Sequence, residues 1–205
     1  ILCAVATDGQ RLATVEPALP DGAKDIPQII IPRKTVLELK KILDEEDQNK
    51  QVKIELSNTK IKLICDNAIL VSKLIDGTFP DYNKVIPDNN KLVMKTKVKP
   101  LCDAIDRVAT IASDKTRAVK INLANNKLLL TVSNIDIGDG QEEIDVNFVA
   151  NDTIETGFNS KYLLEMAAVL EGEEAEFFFA DSMSPAIIKD SADLSSLFVI
   201  MPMRI

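Results

Sequence analysis

The sequence predicts an α+β fold in which short antiparallel strands predominate and a few short helices are inserted between them. Three observations predict it. Apolar residues alternate with polar ones in a series of short runs. The spacing turns helical in three places. Two of those helices sit in matching surroundings, each after an apolar strand and before an acidic turn and a further strand.

The alternating runs are Gln51–Leu56, Lys60–Cys65, Ala118–Leu123 and Lys127–Val132. Each places apolar side chains at every second position, the mark of a strand with one buried face. Turn residues at Ser57–Thr59 and Ala124–Asn126 join them into two hairpins. Further short strands are expected over Glu142–Ala150, Ala175–Ala180, Pro185–Lys189 and Leu197–Met203. The first helix is read over Lys34–Leu43, where Val36, Leu39, Ile42 and Leu43 share a face and Lys34 and Lys41 point the other way. The second runs over Pro100–Ala112, striped by Leu101, Ala104, Ile105, Val108 and Ala112, with Pro100 suited to a first turn. The third covers Ser160–Leu170 and meets Gly172, which is expected to cap it.

Pro32–Leu43 aligns without a gap on Asn159–Leu170, so that Lys34 falls on Lys161, Leu37 on Leu164, Glu38 on Glu165 and Leu43 on Leu170. Either two related domains follow one another, the first incomplete, or two amphipathic helices align by chance. A boundary is expected in the polar stretch Pro87–Lys91, giving domains over 1–88 and 89–205. The chain opens inside an apolar strand and is expected to be a fragment, or a cleaved or tagged product.

At 205 residues, 46% hydrophobic and 27% charged, the chain has material for folded cores, not for disorder. Aromatics are few (7 Phe, 2 Tyr, no Trp), so Ile, Leu, Val and Ala must build those cores. No apolar run approaches the roughly 18 residues of a membrane span, and no secretory signal opens the sequence. Cys3, Cys65 and Cys102, odd in number and far apart, read as reduced thiols in a cytoplasmic protein. A net charge of −8 argues against nucleic-acid binding on its own, but a sum does not say where the 24 basic residues lie.

Histidine is absent, which removes most nucleophile–base arrangements and imidazole metal sites. Phosphate-loop and dinucleotide glycine motifs are absent too. The acidic clusters Asp44–Asp47 and Glu171–Glu174 read as solvated turns at helix ends, although a carboxylate-dependent hydrolase is an alternative that they leave open.

Three stretches carry more information. Ala6–Ala13 (ATDGQRLA) holds an Asp-Gly turn. Lys73–Pro87 (KLIDGTFPDYNKVIP) is irregular yet groups Phe79, Pro80 and Tyr82. Phe198–Ile205 (FVIMPMRI) is apolar where chain ends are ordinarily polar. It is either a buried last strand or the border of an exposed apolar groove.

Taken together, ATDG-x-RLA, SKL-x-DG-x-FPDY-x-x-V-x-P and V-x-MPMR, with GFN-x-x-Y at Gly157–Tyr162 and IPRK at Ile31–Lys34, resemble the bacterial replication sliding clamps, the β subunits of DNA polymerase III. The resemblance covers essentially the whole chain. It implies a ring-shaped homodimer whose subunits repeat one DNA-clamp fold three times, with antiparallel sheets outside and two helices per domain facing the hole. Domain 1–88 would be the second half of the middle copy and 89–205 the last. The implied function is that of a non-catalytic processivity factor without metal or cofactor. Its implied partners are double-stranded DNA, the DNA polymerase III α subunit, the clamp loader and repair proteins carrying a clamp-binding motif.

The resemblance also assigns residues. Arg33, Lys34, Lys40, Lys41, Lys99, Arg107 and Lys161 would face DNA. A peptide-binding groove would use Thr7, Gly9, Arg11, Leu12, Pro80, Lys84, Val85, Asn159, Tyr162, Met183 and Pro185, together with Val199, Ile200, Met201, Pro202, Met203 and Arg204. Thr110 and Ile111 would lie at the subunit contact, and a fragment lacking the first domain should not close a ring. Gln10, Lys84, Pro185 and Thr116 depart from residues common in the family, which bears on the peptide preference. A plain protein-interaction module would share the groove but not the basic helices.

Overall fold

The computed structural model describes residues 2–24, 26–43, 51–149 and 152–204. The acidic stretch 44–47 lies outside the described residues. Two compact units form, one from Ile1–Pro20 with Tyr82–Ile205 and one from Asp21–Asp81.

The smaller unit holds helix α1 (Arg33–Ile42) and a sheet of β3 (Lys53–Leu56), β4 (Lys60–Cys65) and β5 (Ala68–Lys73). The expected Ser57 hairpin is present, with Ser57 Oγ accepting the Lys60 N–H at 3.1 Å. Alternation buries Ile61, Leu63 and Cys65 of β4, while Ile69 and Val71 lie on the opposite, exposed face. In α1, Leu39, Ile42 and Leu43 of the expected apolar face are half-buried, but Val36 of that face is not. Val36 and Leu37 are exposed, and the helix is anchored through buried Thr35, whose hydroxyl lies 2.6 Å from that of Ser72 on β5.

The larger unit contains two antiparallel sheets. The first orders its strands β1 (Ala4–Thr7), β2 (Arg11–Val15), β14 (Ser196–Ile200), β13 (Ala186–Asp190), β12 (Glu174–Phe179), β6 (Leu92–Lys97) and β10 (Asn147–Phe148). The second orders β11 (Ile154–Asn159), β7 (Ala118–Ala124), β8 (Lys127–Asn134) and β9 (Gly138–Asp145). Helices α2 (Val98–Ala109) and α3 (Ser160–Ala167) share one core with both sheets. Leu101, Ile105 and Val108 of α2 and Leu163 of α3 meet Met94 and Phe177 of one sheet and Ile121, Leu128, Leu130 and Phe158 of the other. The apolar stripe read for α2 is therefore its buried face. Pro100 sits in the first turn, where its missing N–H costs nothing.

Three local expectations are corrected. The strand expected over 142–150 is two, β9 and β10, in different sheets; residue 150 lies outside the described set. Asn126, in a left-handed turn (φ 61°), takes the Val146 N–H on its carbonyl and the Phe148 N–H on its side chain, which switches the chain from one sheet to the other. The last strand stops at Ile200, and Pro202, which has no N–H, interrupts the ladder before Met203 donates to Gly157 O at 2.8 Å. Helix α3 ends at Ala167 with Ala168 as its cap, so Gly172 does not cap it. A Cβ at Gly172 would fall 2.5 Å from Asp190 Oδ1 and 2.3 Å from Ser191 Oγ; glycine is needed there for close approach.

Asp190 is buried and accepts N–H groups from Glu171 (2.6 Å), Gly172 (2.9 Å) and Ala192 (2.9 Å), which stitches the turn after α3 to β13. Burial pushes its carboxyl up, but the three N–H donors together hold it below the ordinary aspartate value. A depressed carboxyl contributes stability that is present above its unfolded value and lost as pH falls through the folded one. Asp190→Asn is therefore expected to cost about 1.5–3 kcal/mol at pH 7. In urea denaturation the gap to the parent should shrink as the buffer is taken below the ordinary carboxylate range.

Candidate functional site

The site begins at the β1–β2 turn. Gly9 takes φ +85°, a conformation that side chains resist, and Asp8 Oδ1 accepts the N–H groups of Gln10 (3.0 Å) and Arg11 (3.1 Å). Thr7 Oγ1 accepts from Gly9 N–H and donates to Arg11 O at 2.7 Å, so the turn is braced from both sides. Beyond it Leu12 pairs with Val199 across β2 and β14. Leu12, Val199 and Ile187 are buried together, with Val5, Tyr82, Ile86, Phe178 and Leu197 packed against them. The terminal segment is a buried strand in its first part only. Val199 and Ile200 are buried in the sheet, whereas Met201, Pro202 and Met203 are half-buried and Arg204 is exposed. Met201 N–H donates to Gln10 O at 2.9 Å, which fastens this segment to the turn.

A second wall comes from α3. Asn159 caps the helix, its Oδ1 accepting from Lys161 N (3.0 Å) and Tyr162 N (3.4 Å), and its amide donates to Thr116 O. The Arg11 guanidinium lies 4.3 Å over the centre of the Tyr162 ring. Its Nε bonds Asp8 Oδ2 at 3.0 Å and its Nη1 meets Glu165 Oε2 at 2.6 Å. Burial alone would lower the Arg11 pKa, but the bonds to Glu165 and Asp8 raise it overall. Glu165 is held below the usual glutamate range, chiefly by Arg11.

Lys84 lies in a 3-10 turn (Tyr82–Lys84), and exposed Val85 closes it by donating to Tyr82 O at 3.0 Å. Met183 is exposed in the β12–β13 turn, where Asp181 Oδ1 accepts its N–H. Pro185 O accepts from the Asn90 amide, which also bonds Phe178 O. Pro80 belongs to the smaller unit. The turn, the terminal segment and Tyr162 are thus tied by direct contacts. Sequence reasoning did not single out Ile86, Phe178 and Ile187, which read as ordinary apolar positions, nor Asp8 and Glu165 as partners of Arg11. For Glu165 the i,i+4 spacing from Lys161 was the available signal.

The basic helix positions are occupied by local carboxylates. Lys99 meets Asp103 at 3.1 Å, Lys41 meets Glu38 at 3.0 Å and Lys161 meets Glu165 at 3.5 Å. Arg107 reaches off α2 to β9, its Nε 2.9 Å from Glu142 Oε2 and its Nη2 bonded to the other oxygen. Arg33, Lys34 and Lys40 are exposed on α1. Thr110 caps α2 through Arg107 O, and Ile111 packs on Gly140 of the edge strand β9, where a Cβ would fall 2.8 Å from its Cδ1. Among the described residues no group of three or more Cys, Asp or Glu is placed to hold a metal, and no helix is long and apolar enough to cross a membrane.

Two antiparallel sheets closed over a helix pair, with an apolar patch at the end of the larger sheet, define a clamp-type α+β fold. Comparison with known proteins agrees. The model for the DNA polymerase III beta subunit central domain matches residues 1–81, and that for its C-terminal domain matches residues 83–204. The chain belongs to the DNA polymerase III beta subunit family, the sliding clamps. The beta sliding clamp of Caulobacter vibrioides is 40% identical over 100% of this chain and 54% of its own length. The clamp from Bartonella birtlesii, solved bound to griselimycin, superposes with a TM-score of 0.92 at 41% identity, covering 99% of this chain and 54% of that one. A Pseudomonas aeruginosa clamp solved with a ligand gives 0.91 at 33% identity, over 99% and 55%. The chain spans about half the length of the curated relatives it matches.

Asn159→Ala should uncap α3 and lower stability by about 1 kcal/mol. A thermal melt followed by circular dichroism reads it.

Proposed function

We propose that this chain is the later part of a subunit that acts as a processivity factor in DNA replication, with residues 1–88 completing a middle clamp domain and 89–205 forming the last. The whole protein closes as a homodimeric ring around duplex DNA in the cytoplasm and carries out no catalysis. It tethers the replicative polymerase, the clamp loader and repair proteins by their short apolar motifs. Thr110 and Ile111, beside the free edge of β9, belong to the subunit contact.

The observation that carries the proposal is the apolar floor of Leu12, Ile187 and Val199 with Tyr82 against it, bordered by half-buried Met201, Pro202 and Met203. Unbranched methionines adapt to different apolar anchors, as a site serving several partners requires. Thr7, Gly9, Arg11, Lys84, Val85, Asn159, Tyr162, Met183, Pro185, Ile200 and Arg204 complete the groove. DNA is held by phosphate contacts from Arg33, Lys34, Lys40, Lys41, Lys99, Arg107 and Lys161, which read no bases. The carboxylates paired with several of them keep those contacts weak and exchangeable, as sliding demands.

A fluorescent peptide of the QLxLF type should bind, and Met201→Ala should weaken it about tenfold, a loss near 1.4 kcal/mol. Leu12→Ala should weaken it further, with circular dichroism confirming the fold. Failure of the parent chain to bind at high micromolar peptide would count against the groove. For DNA, Glu142→Gln releases Arg107 and should tighten low-salt binding to duplex while steepening the log K against log salt slope by about 0.9. An unchanged slope would remove Arg107 from the DNA-facing set.

A further inference from the structure

We propose that Arg11 is a positioning residue of the groove, locking the β1–β2 turn to α3 through Tyr162, and not a receptor for an anionic group on the bound peptide. This rests on the peptide-groove reading above. An arginine bordering a peptide site is ordinarily expected to catch a carboxylate, because its planar fork matches one. Here two of the three guanidinium nitrogens are already engaged. One edge holds Asp8 through Nε at 3.0 Å, Nη1 holds Glu165 at 2.6 Å, and one face is covered by the Tyr162 ring at 4.3 Å. Glu165 also lies 3.5 Å from Lys161, so two cations and two carboxylates balance to zero within the cluster. An incoming carboxylate would meet two groups of its own charge.

What Arg11 touches is itself structural. Asp8 is held by the backbone of its turn, and the carbonyl of Gln10 in that turn carries Met201 of the terminal segment. Tyr162 and Glu165 lie three positions apart on α3, on the same side of the helix, and Tyr162 packs against the main core. Arg11 therefore spans the turn, the terminal segment and α3. Its side chain and both carboxylates are a third or more exposed, so solvent screens each ion pair and the arrangement contributes more to geometry than to stability. Lysine cannot replace it, since one ammonium cannot fill two edges and a ring face together.

The test compares two QLxLF-type peptides, one neutral beyond the motif and one ending in two aspartates, by fluorescence anisotropy. Arg11→Ala should weaken both by the same factor, about fivefold to tenfold, and Arg11→Lys should recover little. Glu165→Gln, which weakens the brace and also releases Lys161, should weaken both twofold to threefold. The chain has 2 Tyr and no Trp, so a Tyr82→Phe background leaves Tyr162 as the sole emitter; Arg11→Ala and Glu165→Gln should each change its fluorescence. Selective loss of the acidic peptide in Arg11→Ala, full recovery by Arg11→Lys, or no change in either readout with Glu165→Gln would each overturn the positioning role. If the parent binds neither peptide, the groove reading fails and this role with it, while an altered Tyr162 emission would show the brace to be real but serving another end.

Discussion

The antiparallel pairing of β2 with β14 is the contact on which the larger unit depends. It sets Leu12 opposite Val199 and Ile200 opposite Arg11, and so joins residues 1–20 to a sheet built otherwise from the last part of the chain. Remove it, and the Asp8–Gly9 turn has no partner, Met201 has no carbonyl on Gln10 to meet, and the apolar floor loses one side. Sheet register is strict in such a pair, because a slip by one residue would carry Leu12 and Val199 from the buried face to the exposed one. The proposed groove is in this sense a by-product of strand pairing. Local turns then decorate it: a glycine with positive φ at one end, an asparagine cap at another.

Charge follows a similar logic of local compensation. A chain of net charge −8 can carry basic helix faces only if its acids lie elsewhere or sit close by. The structure shows the second arrangement at Lys41, Lys99, Arg107 and Lys161, each with a carboxylate within reach. Such exposed pairs contribute little to folding. For the proposed DNA contacts, a phosphate approaching these side chains would replace one anion by another, and the net gain would be small. Tight binding and free movement along a backbone are opposed requirements, and paired cations favour movement.

Much of the fold was legible because period-two and period-3.6 patterns report directly on burial. The hairpins at Ser57 and Asn126, the stripe of α2 and the β12 and β13 strands all follow from them. The failures share a cause: long-range partners that local pattern cannot see. Gly172 reads as a helix cap, yet its lack of a side chain serves Asp190, distant in sequence. The run over 142–150 reads as one strand, yet Asn126 divides it between two sheets. Val36 reads as part of the apolar face, yet it is exposed while Thr35 beside it is buried against Ser72. For the candidate site, the motifs located the turn, Tyr162 and the terminal segment, while the floor residues Ile86, Phe178 and Ile187 carry no signature beyond being apolar.

Arg11 shows why a residue's place in a motif does not settle its role. In sequence it is one cation beside an Asp-Gly turn, equally suited to a ligand's carboxylate or to a structural one. Only the fold brings Glu165 and Tyr162 to it, from a helix far along the chain, and only then are two of its nitrogens and a ring face seen to be committed. The same reasoning applies to Arg107, whose fork is filled by Glu142. The two sites differ in what the filled arginine holds. At Arg107 the partner is a neighbouring strand, and releasing the arginine frees a charge. At Arg11 the partners are the walls of the proposed groove, and releasing it would loosen the shape on which the proposed apolar recognition depends.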